Sequence, residues 1–313
     1  MKAAVISELG KPPELADRPE PSGGEIYDVT AVSLNPIDIN VGAGRYFGGY
    51  PELPFVPGCE GVGRAADGTR VYLFSDGLGL SRDGLLAEHA TAPADLGITL
   101  PDEVSDEVAA SCGIAGMAGW MPLVWRAPVK ETDRVLVLGA TGTVGLVAVQ
   151  AAKLLGAAHV VAAGRNAERL ERASELGADA TVSLEQDDLV TAFKDASGGD
   201  GPTYVVDTLW GAPAAAALQA AAPGWRLVQI GQSADAEASL ASAAVRGKMG
   251  EIYGYTDFAV PKEEFRDGYL KLVGHAAAGD IVFDIASYPL ERVSEAWERQ
   301  AGGANGKIVV KVS

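Results

Sequence analysis

The sequence predicts an α/β protein in two parts, a mostly β region followed by a doubly wound parallel sheet. Three observations predict it. Up to about residue 100 the chain is a series of short apolar runs cut by Gly, Pro and Asp. Beyond about residue 130, apolar strand-like runs alternate with helical stretches, the pattern of a parallel sheet covered on both faces. Between residues 134 and 157, one such run enters a glycine-rich loop from which a helix starts at once.

In chain order, "MKAAVI", "YDVTAVSLN", "GVGRAADGTRVYLF" and "LLAEHATA" read as strands with close turn signals. From residue 101, "PDEVSDEVAASCGIAGMAGWMPLVWRA" opens with Pro and acids, which suit a helix N-terminus, and continues in Ala, Met and Trp. The alternation then runs "RVLVLGA", "TVGLVAVQAAKLLGA", "HVVAAG", "NAERLERASELGA", "ATVSL", "YVVDTL", "PAAAALQAAA" and "WRLVQIG". Residues from about 260 to 279 look helical. The closing "GKIVVKVS" is a strand more like the first region than the middle one.

A chain of 313 residues has room for two packed domains. Its 42 acidic against 25 basic residues give a net charge of −17, with no Lys/Arg run to attract a phosphate backbone. Nucleic-acid binding is therefore not expected. The start, "MKAAVISELG", lacks the apolar core of a signal peptide, and no stretch reaches the roughly 18 uninterrupted apolar residues of a membrane helix. Two cysteines are no disulfide framework. These features lead us to expect a cytoplasmic protein with no membrane partner.

The strongest signal is "RVLVLGATGTVGLVAVQAAKLLGA". Gly139, Gly142 and Gly145 would respectively allow a tight turn, a close approach of backbone to pyrophosphate, and tight helix–strand packing. Thr141, Thr143 and Val144 complete the loop, whose helix N-terminus presents unpaired N–H groups to a phosphate. The next strand ends at Gly164, where an NAD-binding fold would carry an acid for the ribose 2′-hydroxyl, and Arg165 and Asn166 follow. Lacking the acid and gaining a guanidinium, the site favours NADP(H); a solvated loop arginine is the plainer alternative. Asp207 and Gly231 end later strands and are placed to line the nicotinamide side, although Asp207 equally suits a helix N-cap.

With these pieces in order, the chain resembles the medium-chain dehydrogenase/reductase superfamily, in particular its zinc-independent quinone oxidoreductase branch. The resemblance is carried by "SLNPIDINVGAG", "PFVPGCEGVG", "LPDEVSDEVAASCGIAGMAGW", "VLGATGTVGLVAVQAAKLLGA", "LERASELGAD", "YPLERVSEAWE" and "GKIVVKV". It implies a GroES-like, mostly β catalytic domain over residues 1–115 and 259–313, and a Rossmann domain over 116–258. It also implies a homodimer or homotetramer, joined through a sheet edge such as "KMGEIYGY", which could equally be an ordinary covered edge. By match to zinc-dependent relatives, the metal-ligand positions fall on Asn35, Cys59 and Ile114, with Cys112 near the last. That set is too poor in strong donors for catalytic zinc, and no metal is expected. His89, His159 and His275 are scattered, His89 in a strand-like run and the others on helix or loop surface. Cys59 beside Glu60 has no support as a redox thiol, because the neighbouring charge disfavours the thiolate. It reads best as a small buried residue in a Gly-bounded turn.

Metal-free chemistry then calls for hydride transfer from a nicotinamide to a small-molecule acceptor, with a proton supplied separately. The resemblance puts Asn35 and Asp38 in the cleft, Asn35 as an N–H donor to cofactor or acceptor oxygen and Asp38 as an orienting group or a turn-closing Asp. Tyr46 and Tyr50, in "GAGRYFGGYPELP", border the substrate side; Tyr46 ranks first as proton donor, against simple loop packing. The expected acceptor is a quinone, an enone or a related carbonyl compound. A zinc-independent alcohol dehydrogenase or ketone reductase fits the same residues, and a non-catalytic NADPH-binding protein is the alternative of a different class.

Overall fold

A computed structural model describes residues 1–312. Its contacts divide the chain into two compact units, Met1–Ala115 with Tyr269–Ala278 and Phe283–Ser313, and Gly116–Gly268 with Gly279–Val282. The second unit thus extends ten residues beyond the expected boundary at 258, into the first turns of the helix Lys262–Ala278.

The first unit is organised on the strand Glu25–Leu34, whose second half is buried on both faces. Antiparallel partners flank it, Glu60–Arg64 on one side (Val32 opposite Gly61) and Lys307–Lys311 on the other (Ile308 opposite Leu34). The sheet of seven strands continues through Arg70–Phe74 and Ile98–Thr99 beyond the first partner and Ile285–Pro289 beyond the second, while His89–Ala92 pairs with the start of the central strand. Val29, Val32, Leu34, Leu73, Ile308 and Trp297 belong to one core beneath this sheet. The closing strand does join the first region, as its sequence texture suggested. "SLNPIDINVGAG" holds a short helix, Pro36–Gly42, that the strand-and-turn reading did not predict.

The second unit carries six parallel strands in the order Ala180–Ser183, His159–Gly164, Arg134–Leu138, Tyr204–Asp207, Arg226–Gln229, Glu251–Gly254. Numbered along the chain, this order is 3-2-1-4-5-6, the doubly wound arrangement. Val135 to Leu138 and Val160 to Ala163 are wholly buried, as central parallel strands covered on both faces must be. The chain reverses direction of travel across the sheet between Arg134–Leu138 and Tyr204–Asp207. Ligands of such sheets lie outside the carboxyl ends of the strands at that point.

One helix, Asp106–Arg126, has the length and hydropathy of a membrane span, but 78% of its most apolar window is buried inside the fold. It is a core helix. It is also broken: Gly113 has ψ −128°, outside helical space.

Candidate functional site

In the second unit, Arg134–Leu138 delivers the chain into the loop 139–142, which is stapled to the neighbouring strand by N–H donation from Gly139 (3.0 Å) and Ala140 (2.9 Å) to the carbonyl of Ala163. Gly139 has φ +80°, and a Cβ there would also collide with Thr208 Oγ1. A Cβ at Gly145 would strike the carbonyl of Gly139 and lie 2.6 Å from Ala140 Cα, so only glycine lets the helix Thr143–Leu154 approach the strand. Gly142 is different. Exposed, and with only the Gly139 carbonyl within 4 Å of where its Cβ would be, it leaves open room above the helix N-terminus. As N-cap it supplies no side chain, so the first-turn N–H groups of Thr143, Val144 and Gly145 have no side-chain acceptor from the cap. An uncapped positive helix end facing open room fits a pyrophosphate.

Gly164 ends the next strand, buried against Thr141. Arg165 is exposed; Asn166 caps the helix Ala167–Glu175, accepting the N–H of Arg169 at 2.9 Å. Arg169 in turn donates from Nε to the carbonyl of Thr141 at 3.2 Å. The loop, Gly164 and Arg165 therefore form one patch at the strand ends.

Asp207 and Gly231 lie at the same end of the sheet. The carbonyl of Asp207 accepts the N–H of Ile230 at 2.8 Å, and Gly231 packs on Thr208, whose carbonyl would lie 2.9 Å from a Cβ there. Asp207 Oδ1 accepts the N–H groups of Leu209 and Trp210, both at 2.9 Å, which tightens the turn leading into the helix Gly211–Ala220. It closes that turn ahead of the helix and is not the helix N-cap, a place taken by Trp210. Oδ2 is buried with no hydrogen-bond partner among the described residues, and burial pushes the carboxyl up to about 6.

The first unit holds a constellation that sequence reasoning missed. Glu60 is fully buried, and its Oε1 accepts from Ser33 Oγ and from Asn35 Nδ2 (2.7 Å) while Oε2 accepts from Tyr72 Oη (2.6 Å) and the Ile114 N–H (2.6 Å). Lys307 Nζ stands 3.5 Å from Oε1 and donates to the Leu34 carbonyl (3.0 Å) and Asn35 Oδ1 (2.5 Å). The carboxylate reaches into the helix break: a Cβ at Gly113 would collide with Glu60 Oε2 and Tyr72 Oη. The break at Gly113 frees the Ile114 N–H, and Glu60 accepts it.

Asn35 is thereby corrected. Its amide donates to Glu60 and to the Ser33 carbonyl (3.2 Å), its oxygen accepts from Lys307, and the residue is 2% exposed. Both amide hydrogens are engaged inside the unit, so neither is left for the cofactor or acceptor oxygen that Asn35 was expected to meet. Asp38 is buried too, joining the Asn35 N–H (2.8 Å) to the Cys59 N–H (2.9 Å). Burial raises its carboxyl above the ordinary value while those bonds pull it back, and it acts as the tie between helix and turn. Cys59 is buried in that turn, its thiol held far above its usual value by burial and then by Asp38 and Glu60.

These donors do not fit zinc. Asn35 offers an amide oxygen already facing an ammonium group, Ile114 has no donor side chain, and Cys59 favours the thiol over the thiolate that binds metal. Among the described residues no group of three or more His, Cys, Asp or Glu could hold a metal ion. His89 instead pairs with Glu20 (2.7 Å) and Asp28 (3.5 Å), and His159, a strand residue rather than a helix or loop one, meets the Ala196 carbonyl at 2.8 Å.

The tyrosine loop follows the helix Pro36–Gly42. Tyr46 packs partly on the first unit's core, its ring over Gly48, and its hydroxyl makes no hydrogen bond among the described residues. Phe47 beside it is 94% exposed, with ring centroids 4.6 Å apart, and Tyr50 is exposed. Unlike Asn35, these phenols keep a free polar end.

Residues 143–274 match the family model described as zinc-binding dehydrogenase. Over 329 residues the chain is 29% identical to human quinone oxidoreductase, covering 99% of this chain and 97% of that protein. It is 28% identical over 329 residues to a phenolphthiocerol/phthiocerol polyketide synthase of Mycobacterium tuberculosis, of whose length it spans 15%. Among solved structures, a mycobacterial quinone oxidoreductase superposes with TM-score 0.88 at 27% identity over all of both chains. An NAD-dependent alcohol dehydrogenase gives 0.87 at 26%, and a mycobacterial protein complexed with NADPH gives 0.84 at 28%, each over all of both chains. The chain belongs to the medium-chain dehydrogenase/reductase superfamily, whose GroES-like and Rossmann folds are its two units. Within it, the chain falls in the quinone oxidoreductase-like branch.

Proposed function

We propose that this protein is an NADPH-dependent oxidoreductase that reduces a quinone, an enone or a related carbonyl acceptor without a catalytic metal. One observation carries the cofactor choice: the strand end where a ribose-binding acid would stand is Gly164, packed shut by Thr141 and followed by the exposed Arg165. The human and mycobacterial quinone oxidoreductases and the NADPH complex support the reading.

When bound, the nicotinamide supplies the hydride. Gly142, Thr143, Val144 and Gly145 hold the pyrophosphate through backbone N–H groups, and Arg165 meets the 2′-phosphate. Tyr46 donates a proton to the acceptor from its unengaged hydroxyl, and Tyr50 offers a second aromatic face. Asp38 and Glu60 act at one remove by fixing the helix that leads into the tyrosine loop. An exposed parallel edge at Glu251–Gly254, with Ile252 at its surface, suits pairing with a second copy, and we place the protein in the cytoplasm as a homodimer or homotetramer.

The test is to follow NADPH and NADH absorbance against quinones, enones, aldehydes and ketones with protein of measured metal content. Turnover that required an equivalent of zinc would overturn the metal-free mechanism. Selective reduction of simple ketones would favour an alcohol dehydrogenase instead, a reading supported by the similar NAD-dependent alcohol dehydrogenase. Binding of NADPH with no turnover across the panel would leave a cofactor-binding protein only.

A further inference from the structure

We infer that Thr141 determines cofactor specificity sterically, by making residue 164 a place where no side chain, and so no ribose-binding acid, can stand. The inference rests on the NADPH reading and deepens it. A Cβ built on Gly164 would penetrate Thr141 Cγ2 and lie 3.1 Å from Oγ1 and 3.2 Å from Cβ of the same residue. Gly164 is buried in a regular strand and its φ is not left-handed, so backbone conformation does not demand glycine there. Space does. The hard contact is with a γ atom that alanine at 141 would lack, and the Cβ that would remain lies 3.2 Å away.

Neither backbone can retreat. The loop is held to the strand by the two bonds from Gly139 and Ala140 to the Ala163 carbonyl, and it closes on itself through the Gly142 N–H to the Gly139 carbonyl at 3.1 Å. From the other side the Arg169 guanidinium fixes the Thr141 carbonyl. Gly164 is paired with Ser183 in the next strand, and its carbonyl accepts the Leu184 N–H at 2.8 Å. An acid introduced at 164 would therefore have to displace the loop that holds the pyrophosphate. Discrimination against NADH lies in the third residue of the glycine turn, Thr141, as much as in the arginine after the strand.

The experiment measures dissociation constants for NADPH and NADH by fluorescence titration of the wild type, Thr141→Ala, Gly164→Asp and the double variant, with thermal melts of each without cofactor. The wild type should prefer NADPH. Gly164→Asp alone should weaken both cofactors, whereas in the Thr141→Ala background the same change should move the NADPH-to-NADH affinity ratio toward NADH by about tenfold or more, the worth of one charge-assisted hydrogen bond. In case the aspartate variant does not fold, Gly164→Ala supplies the steric half of the test: it should lower the melting temperature in the wild type and much less in Thr141→Ala. Equal NADH binding by Gly164→Asp with and without Thr141, or equal melting penalties for Gly164→Ala in both backgrounds, overturns the steric role alone. A wild type that binds the two cofactors alike overturns the NADPH reading and this inference together.

Discussion

Asp207→Asn should stabilise the protein at neutral pH and do nothing for it in acid. The carboxyl is fully buried, one oxygen accepts two backbone N–H groups, and burial sets its folded pKa at about 6 against 3.8 in the unfolded chain. A raised carboxyl pKa means that the fold prefers the protonated form. The stability associated with it is therefore fully present below about pH 4, declines as pH rises through 6, and is absent above. The gap of about two pH units corresponds to about 3 kcal/mol at 1.36 kcal/mol each. Asparagine is the nearest permanent mimic of the protonated acid: its oxygen can keep both N–H bonds while no charge is buried. The two proteins should have similar urea midpoints at pH 4, and the variant should lead by about 1 M at pH 7.5, for an m-value of about 3 kcal/mol/M. Midpoints taken at each pH between 4 and 8 give the curve. A difference that does not change with pH, or one that favours aspartate at pH 7.5, would refute the assignment of a buried carboxyl held near neutrality.

Four further substitutions probe the rest. Tyr46→Phe should lower kcat at least about tenfold while leaving NADPH affinity unchanged, as loss of a general acid does; undiminished turnover in steady-state assays removes Tyr46 as proton donor. Arg165→Ala should raise the KM for NADPH about tenfold and leave that for NADH alone, and parallel changes in both would mark it as a solvated loop residue. Gly113→Ala drives a methyl group into Glu60 and Tyr72 and should cost about 3 kcal/mol by chemical denaturation, the scale of overpacking a filled core. Lys307→Met leaves the Glu60 carboxylate buried beside a thioether and should cost about 3 to 5 kcal/mol, with much of the loss recovered in the double variant Glu60→Gln/Lys307→Met, a cycle read from urea midpoints.

The parallel sheet and its glycine loop were legible because their signals are local. The inner strands of the second unit are apolar runs alternating with helices, and the three glycines stand within seven residues of one another. The first unit yielded its strands but not its polar centre. Ser33, Glu60, Tyr72, Ile114 and Lys307 are scattered over most of the chain, and they meet because strands beginning at Glu60 and at Lys307 flank the same central strand. Register of that kind leaves no periodicity to read. A lysine at the head of "KIVVK" was a weak hint, since a cation opening an otherwise buried strand needs an anion nearby. Asn35 shows the opposite error. Its position was well marked and its chemistry suited a donor, but its hydrogens were already taken by neighbours that only the fold supplies. Gly113 likewise looked like an ordinary small residue in a helix, and the break it permits exists for a carboxylate far earlier in the chain.

The pairing of Glu25–Leu34 with Lys307–Lys311 also bears on how the chain matures on the ribosome. All six strands of the parallel sheet have been made once residue 254 is synthesised, so that sheet can form while the remainder is still emerging. The seven-stranded sheet has to wait. Until the final strand arrives, one edge of the second half of its central strand stays open, and Glu60 has its hydrogen-bond donors from earlier residues but not the ammonium of Lys307. Nascent chains stalled before residue 307 should therefore carry a protease-resistant middle flanked by cleavable halves.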